Sequence, residues 1–126
     1  MRLPDLHHRL DCLAEAGIIT PAAAEVTKSA LDRVRSRSSQ PLRGLPVRYW
    51  VTHLARALTR VSEGAERTVP PAEELMKEVR ASPYYNQALE EIYWLKRMWP
   101  KRLPEGEIQY LSIHYVTVFQ FLDNLS

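Results

Sequence analysis

Apolar residues recur every three or four positions through most of this 126-residue chain. That is the spacing of an α-helix burying one face. In the stretch 105–125, Ile108, Leu111, Tyr115, Val118, Phe119 and Leu122 fall on one broad face. The same spacing puts Leu6, Leu10 and Leu13 on a first helix over residues 5–16, with Gly17 placed to stop it. Thr20-Pro21 reads as a helix cap followed by proline at the first helical position. The helix it opens turns Val26, Ala30 and Val34 inward and ends in the polar run 36–41. A third helix runs from Leu45-Pro46 to Ser62, with Val47, Val51, Leu54, Leu58 and Val61 inward and Gly64 at its end.

Residues 63–69 read as a loop, after which Pro70-Pro71 opens a short helix through Arg80. Ser82-Pro83 repeats the cap-plus-proline start. The helix that follows reaches about Trp99 and buries Ala88, Leu89, Ile92, Leu95 and Trp99. Pro100 stops it, and Leu103-Pro104 begins the last helix with Glu105 and Glu107 near its positive end. No run alternates with the period of two that a half-buried strand needs. The expectation is an all-α fold, a compact bundle of about five main helices and one short one, forming a single domain over residues 1–126.

Composition narrows the class. Hydrophobic residues make up 45% and charged residues 25% of the chain, as in soluble globular proteins. Seventeen Lys and Arg against fifteen Asp and Glu leave a formal charge of +2, too small to argue for direct nucleic-acid binding. One cysteine, Cys12, excludes an intrachain disulfide and suits a reducing cytoplasm. The N-terminal segment lacks the apolar run of a signal peptide, and no stretch approaches the ~20 apolar residues of a membrane span. A cytoplasmic protein is the expectation.

Little else in the chain carries chemistry. His8 and Cys12 have the i, i+4 spacing of a metal pair, but without a second cluster they read as surface residues, and no metal or other cofactor is expected. Arg33, Arg35, Arg37, Arg43 and Arg48 form a basic run across a loop, which reads as a solvated face ahead of a nucleic-acid site. Trp50, Trp94, Trp99, Tyr84 and Tyr85 read as core or dimer-interface residues. No glycine-rich phosphate loop, paired catalytic carboxylates or base beside Cys12 points to an enzyme. Two histidines remain. At about 100° per residue, His53 lies at the border of its helix face with Trp50, Ala57 and Arg60. His114 lies likewise, in line with Glu107, Leu111, Val118 and Phe121. Such a position suits a ring that a partner must touch, and equally a ring that completes a polar rim.

Two stretches add to this. VRYWVTHLARALTRVSEG, residues 47–64, and PEGEIQYLSIHYVTVF, residues 104–119, resemble the two signature helices of the PTS regulation domain. That helical module occurs, often in tandem, in bacterial antiterminators and activators controlled by the sugar phosphotransferase system. Residues 71–99 are similar to its linking helices and residues 10–19 to its lead-in, so the resemblance covers nearly the whole chain. It rests on E-x-x-Y-L-x-x-H at Glu107, Tyr110, Leu111 and His114, paired with T-H-L-x-x-A-L-x-R at Thr52 to Arg60.

The resemblance implies that His53 and His114 are regulatory phosphorylation sites, and that Arg60 is placed to neutralise a phosphate. Thr52 stands where many members carry aspartate, as in the second domain of tandem proteins. A phosphoryl group adds about two negative charges and strong acceptors, able to recruit Arg56 or Arg60 or to repel Glu107. The resemblance further implies a homodimer, phosphocarrier or sugar-permease proteins of the phosphotransferase system as partners, and a role in transcriptional regulation. Two other readings stay open: a constitutive dimerisation or interaction module that has lost the switch, and a small enzyme or metal protein using both histidines with a third polar ligand.

Overall fold

The computed structural model describes residues 3–65 and 69–125. Six α-helices and no strand occur among them: α1 Leu3–Glu15, α2 Pro21–Arg37, α3 Leu45–Ser62, α4 Glu73–Ala81, α5 Tyr85–Met98 and α6 Glu105–Asn124. The all-α expectation therefore holds, with five long helices and one short one. Residues 66–68, inside the expected loop 63–69, lie outside the described residues.

α3 and α6 form the most extensive helix pair. α2 covers α3, α5 covers α6, α1 lies across α2 and α3, and α4 rests on α5 and α6. One contiguous core runs through all six helices.

Local chemistry sets most boundaries. Gly17 ends α1 at φ +75°, a conformation only glycine takes without strain, and the Ile18 N–H closes the turn on Leu13 O at 3.0 Å. The Thr20 hydroxyl caps α2 by accepting from Ala23 N at 3.1 Å, and the Thr20 N–H donates to Thr59 Oγ1 at 3.1 Å, which ties the cap to α3.

Some expectations shift. α4 begins at Glu73 rather than at Pro70-Pro71, because the prolines lie in the non-helical approach to it. Ser82 and Pro83 form a turn, in which Ser82 Oγ accepts from Tyr84 N, and α5 starts two residues later. Trp50 and Ala57, expected at the border of α3, are buried because α3 is covered from both sides, by α2 and by α6. Val26, Leu89 and Ile108 are only half-buried, whereas Glu91 and Glu107 are 0% and 1% exposed.

The burial of Glu91 changes the meaning of the arginine run. Arg33 donates to Glu91 from Nε at 2.7 Å and from Nη2 at 3.1 Å, and Arg37 Nη1 adds a third bond at 2.7 Å. Arg37 also pairs with Glu90, and the Arg33 guanidinium lies 4.9 Å from the centre of the Trp94 ring. Arg33 and Arg37 thus clamp α2 to α5 from a partly exposed position, while Arg35, Arg43 and Arg48 are exposed. The carboxylate inside this clamp acts on its neighbour. Burial first, and the negative charge of Glu91 second, push the Tyr115 hydroxyl far above the usual tyrosine range.

Because the folded protein resists this ionisation, the unfolded chain loses the proton first. Stability is therefore intact below about pH 10 and falls above it, by up to about 1.4 kcal/mol per pH unit for this one proton. Tyr115→Phe should remove one proton from the alkaline slope, measured by denaturant titrations between pH 9 and 11. An unchanged slope would rule Tyr115 out as its source.

Candidate functional site at the α3–α6 seam

Helix periodicity places His53 and His114 on facing flanks of α3 and α6, and packing of those helices brings the rings together. The imidazoles stack with centroids 4.5 Å apart and planes 20° from parallel. Both residues are half-buried. Around them stand Ala57 and Arg60 from α3 and Glu107, Tyr110 and Leu111 from α6. The space left among these side chains is about 10 Å³, room for one water at most. A larger group placed on either ring must project outward or part the helices.

Arg60 grips Glu107 across the seam, from Nη2 to Oε1 at 3.1 Å and from Nε to Oε2 at 3.3 Å. The Glu107 side chain is buried and that of Arg60 about a quarter exposed, so the arginine reaches both the interior and water. Glu107 belongs here because it sits in the first turn of α6, where the helix dipole already favours an anion. A bidentate Arg–carboxylate pair holds α3 and α6 in one register. It also keeps a cation in the lining of the same cleft, two turns along α3 from His53.

Of the five residues singled out in the sequence, His53, His114, Arg60 and Glu107 line this cleft and Arg56 does not. Arg56 is exposed on the outer side of α3, about 60° around the helix from His53 and away from the seam. Glu107 is not a loose charge that an anion would merely repel, since Arg60 already holds it. Two further contacts around the site were not legible in the sequence. Arg9 of α1 reaches Thr52, the residue before His53, donating to its hydroxyl from Nε and Nη2 at 3.4 Å. Tyr110, on the rim of the cleft, donates its hydroxyl proton to Val69 O at 3.0 Å and so ties α6 to the segment leading into α4. Neither link has a sequence signal, because each spans about forty residues between elements whose packing is not local.

The other candidates lie elsewhere. His8 Nε2 and Cys12 Sγ approach to 3.5 Å on the exposed side of α1. Among the described residues, no group of three His, Cys, Asp or Glu side chains forms a metal-binding cluster. Trp50 and Trp99 belong to the core, and Trp94, Tyr84 and Tyr85 are half-buried against it. No described helix is long and apolar enough to cross a membrane.

No curated protein and no solved structure shows a significant match to the chain. The family model of the PRD domain matches residues 48–118. That span runs from the first turn of α3 to the middle of α6 and takes in both stacked histidines, Arg60 and Glu107. More than half of the chain lies within the match, and the chain belongs to the PRD family, the PTS regulation domains.

Proposed function

We propose that this chain is a phosphorylation-responsive regulatory domain of the sugar phosphotransferase system, acting in transcriptional regulation through protein–protein contacts. The observation that carries this reading is the solvent-edged stack of His53 on His114, with Arg60 in the same cleft. A neutral imidazole nitrogen forms the N–P bond with its lone pair as the donor's own bond to phosphorus breaks. The product carries about two negative charges beside Arg60 in a cleft too small to contain it. Arg60 then divides its donors between the phosphate and Glu107, and the α3–α6 register shifts. A change of one to three charge-assisted hydrogen bonds is enough to bias a helix interface or a dimer by a few kcal/mol.

The donors are phosphocarrier or sugar-permease proteins, and the output is a contact with a second copy or a regulatory partner. Incubation with phosphoenolpyruvate, enzyme I and the phosphocarrier, followed by mass spectrometry at neutral or alkaline pH, is expected to place the label on His53 or His114. His53→Ala and His114→Ala each lose their own label. Absence of label on both rings, with these donors and with permease domains, would overturn the reading.

A second reading is a constitutive assembly module. Leu45 and Tyr49, one turn apart on α3, are 57% and 55% exposed and offer an apolar contact that needs no phosphate. In that case the double alanine variant keeps the oligomeric state and partner binding of the parent in sedimentation runs.

A further inference from the structure

The densest basic surface is not the arginine run of α2 but the corner where α5 ends and α6 begins. Lys96, Arg97, Lys101 and Arg102 place four cations within seven residues, and all four are exposed. Elsewhere the chain matches many of its cations internally: Lys28 with Asp11 and Glu25, Arg33 and Arg37 with Glu91, Arg60 with Glu107, Arg80 with Glu73. At this corner, among the described residues, no carboxylate lies within ion-pair distance of any of the four. Lys101 Nζ instead donates to Ser62 O at 2.9 Å, which stitches the corner to the C-terminal end of α3.

Helix electrostatics accounts for part of this cluster. Lys96 and Arg97 lie in the last turn of α5, where cations are favoured by its carbonyl end. Lys101 and Arg102 lie beyond that helix and ahead of the positive end of α6, where the dipole opposes them. Glu105, in the first turn of α6, is the chain's own carboxylate beside them and offsets only part of the four positive charges.

The surface is also concave. Lys96, Lys101 and Arg102, with Leu103, Glu105 and Ile108, line a depression of about 270 Å³. Tyr93, 57% exposed, adjoins it, with Lys96 Nζ 5.5 Å from the centre of its ring. A basic hollow floored by Leu103 and Ile108 and edged by an exposed tyrosine can seat an acidic protein face. A nucleic-acid backbone would call for an extended stripe of cations tracking successive phosphates, and four charges on one corner do not make one.

The position ties the corner to the histidines. Ser62 follows His53 by nine residues on α3, about 13 Å of helix. Ile108 of the depression and Glu107 of the cleft are neighbours on α6. A standard interface covers about 800 Å² per partner, enough to span both.

We propose that the Lys96–Arg102 corner is the docking surface for the protein that delivers the phosphoryl group, and that this partner meets it with an acidic face. The inference rests on the phosphohistidine reading above. Exposed cations without a carboxylate partner act on the rate of encounter, so their effect falls as salt screens them over about 8 Å at physiological ionic strength.

The test compares two sources of phosphate. Phosphoramidate reaches the rings without docking, whereas a phosphocarrier or permease domain must dock first. Arg97→Glu with Arg102→Glu reverses the corner and spares Lys101, which holds Ser62. The expected result is labelling by the protein donor slowed about ten-fold or more at low salt, with phosphoramidate labelling unchanged. The parent's protein-dependent rate should also fall as salt is raised. If the reversed pair proves unstable, the milder Arg97→Gln with Arg102→Gln gives the same comparison.

Equal protein-dependent rates in parent and variant overturn the docking surface and leave the histidine reading standing. So does a corner that binds duplex DNA or RNA while donor rates ignore the reversal, whereas a parent that no protein donor labels overturns both readings. A parent that takes no label even from phosphoramidate overturns the histidine reading and the docking surface together.

Discussion

Replacing Arg33 and Arg37 together with methionine is expected to lower the unfolding free energy by about 3–5 kcal/mol, the usual result of stranding a buried charge. Glu91 is fully enclosed, and its three charge-assisted bonds come from these two side chains across the α2–α5 contact. Without them the carboxylate must stay buried without its cations, take up a proton, or open the interface to water. Each route weakens the same helix pair. Adding Glu91→Met to the double variant removes the source of the penalty, and most of the lost stability should return, because a hydrophobic replacement of a complete buried ion set is often neutral. Urea titrations of the parent, double and triple variants decide the matter. A double variant within about 1 kcal/mol of the parent would show that solvent already reaches Glu91.

Gly44→Ala is expected to destabilise by about 2–4 kcal/mol. Gly44 caps α3 at φ +96° and ψ 165°, a region open essentially to glycine alone, and forcing another residue there costs about 1–3 kcal/mol. Sterics add to this. A Cβ built on Gly44 would fall 2.5 Å from Cζ and 2.8 Å from Cε2 of Phe121, so the ring must move out of its place on α6. Overpacking of this kind costs on the order of 1 kcal/mol when the obstacle is the tip of a half-buried ring. The two contributions separate in a cycle with Phe121→Ala. The backbone part persists in that background, and the ring part vanishes. A Gly44→Ala penalty below about 0.5 kcal/mol in chemical denaturation would contradict the backbone argument.

Helix starts were legible in the sequence wherever a cap or a proline did a job that nothing distant could undo. Thr20-Pro21, Leu45-Pro46 and Leu103-Pro104 each mark a helix start within a residue or two. The same grammar misplaced α4, since Pro70-Pro71 satisfies a helix start and an extended approach equally well. Charged positions defeated the periodicity. The burial of Glu91 and Glu107 has no signal in the apolar spacing, because isolated carboxylates almost never bury and only arginines about fifty residues away make it tolerable.

The border positions of His53 and His114 followed from angles on single helices. Their mutual stacking could not follow, because it depends on how α3 and α6 are set against each other, and a one-dimensional period carries no such information. The Lys96–Arg102 corner was missed for a related reason. It straddles the end of one helix and the start of another, so neither helix face shows it.

One consequence follows from how little holds α4. It has nine residues, of which only Met76 and Val79 are buried, and it leans on α5 and α6 alone. Local opening costs least where apolar contact is sparsest, so amide exchange should begin in α4 while α3 and α6 stay protected. Since Tyr110 ties the approach to α4 onto the rim of the histidine cleft, thermal breathing of this small helix uncovers that rim without separating the two long helices beneath it.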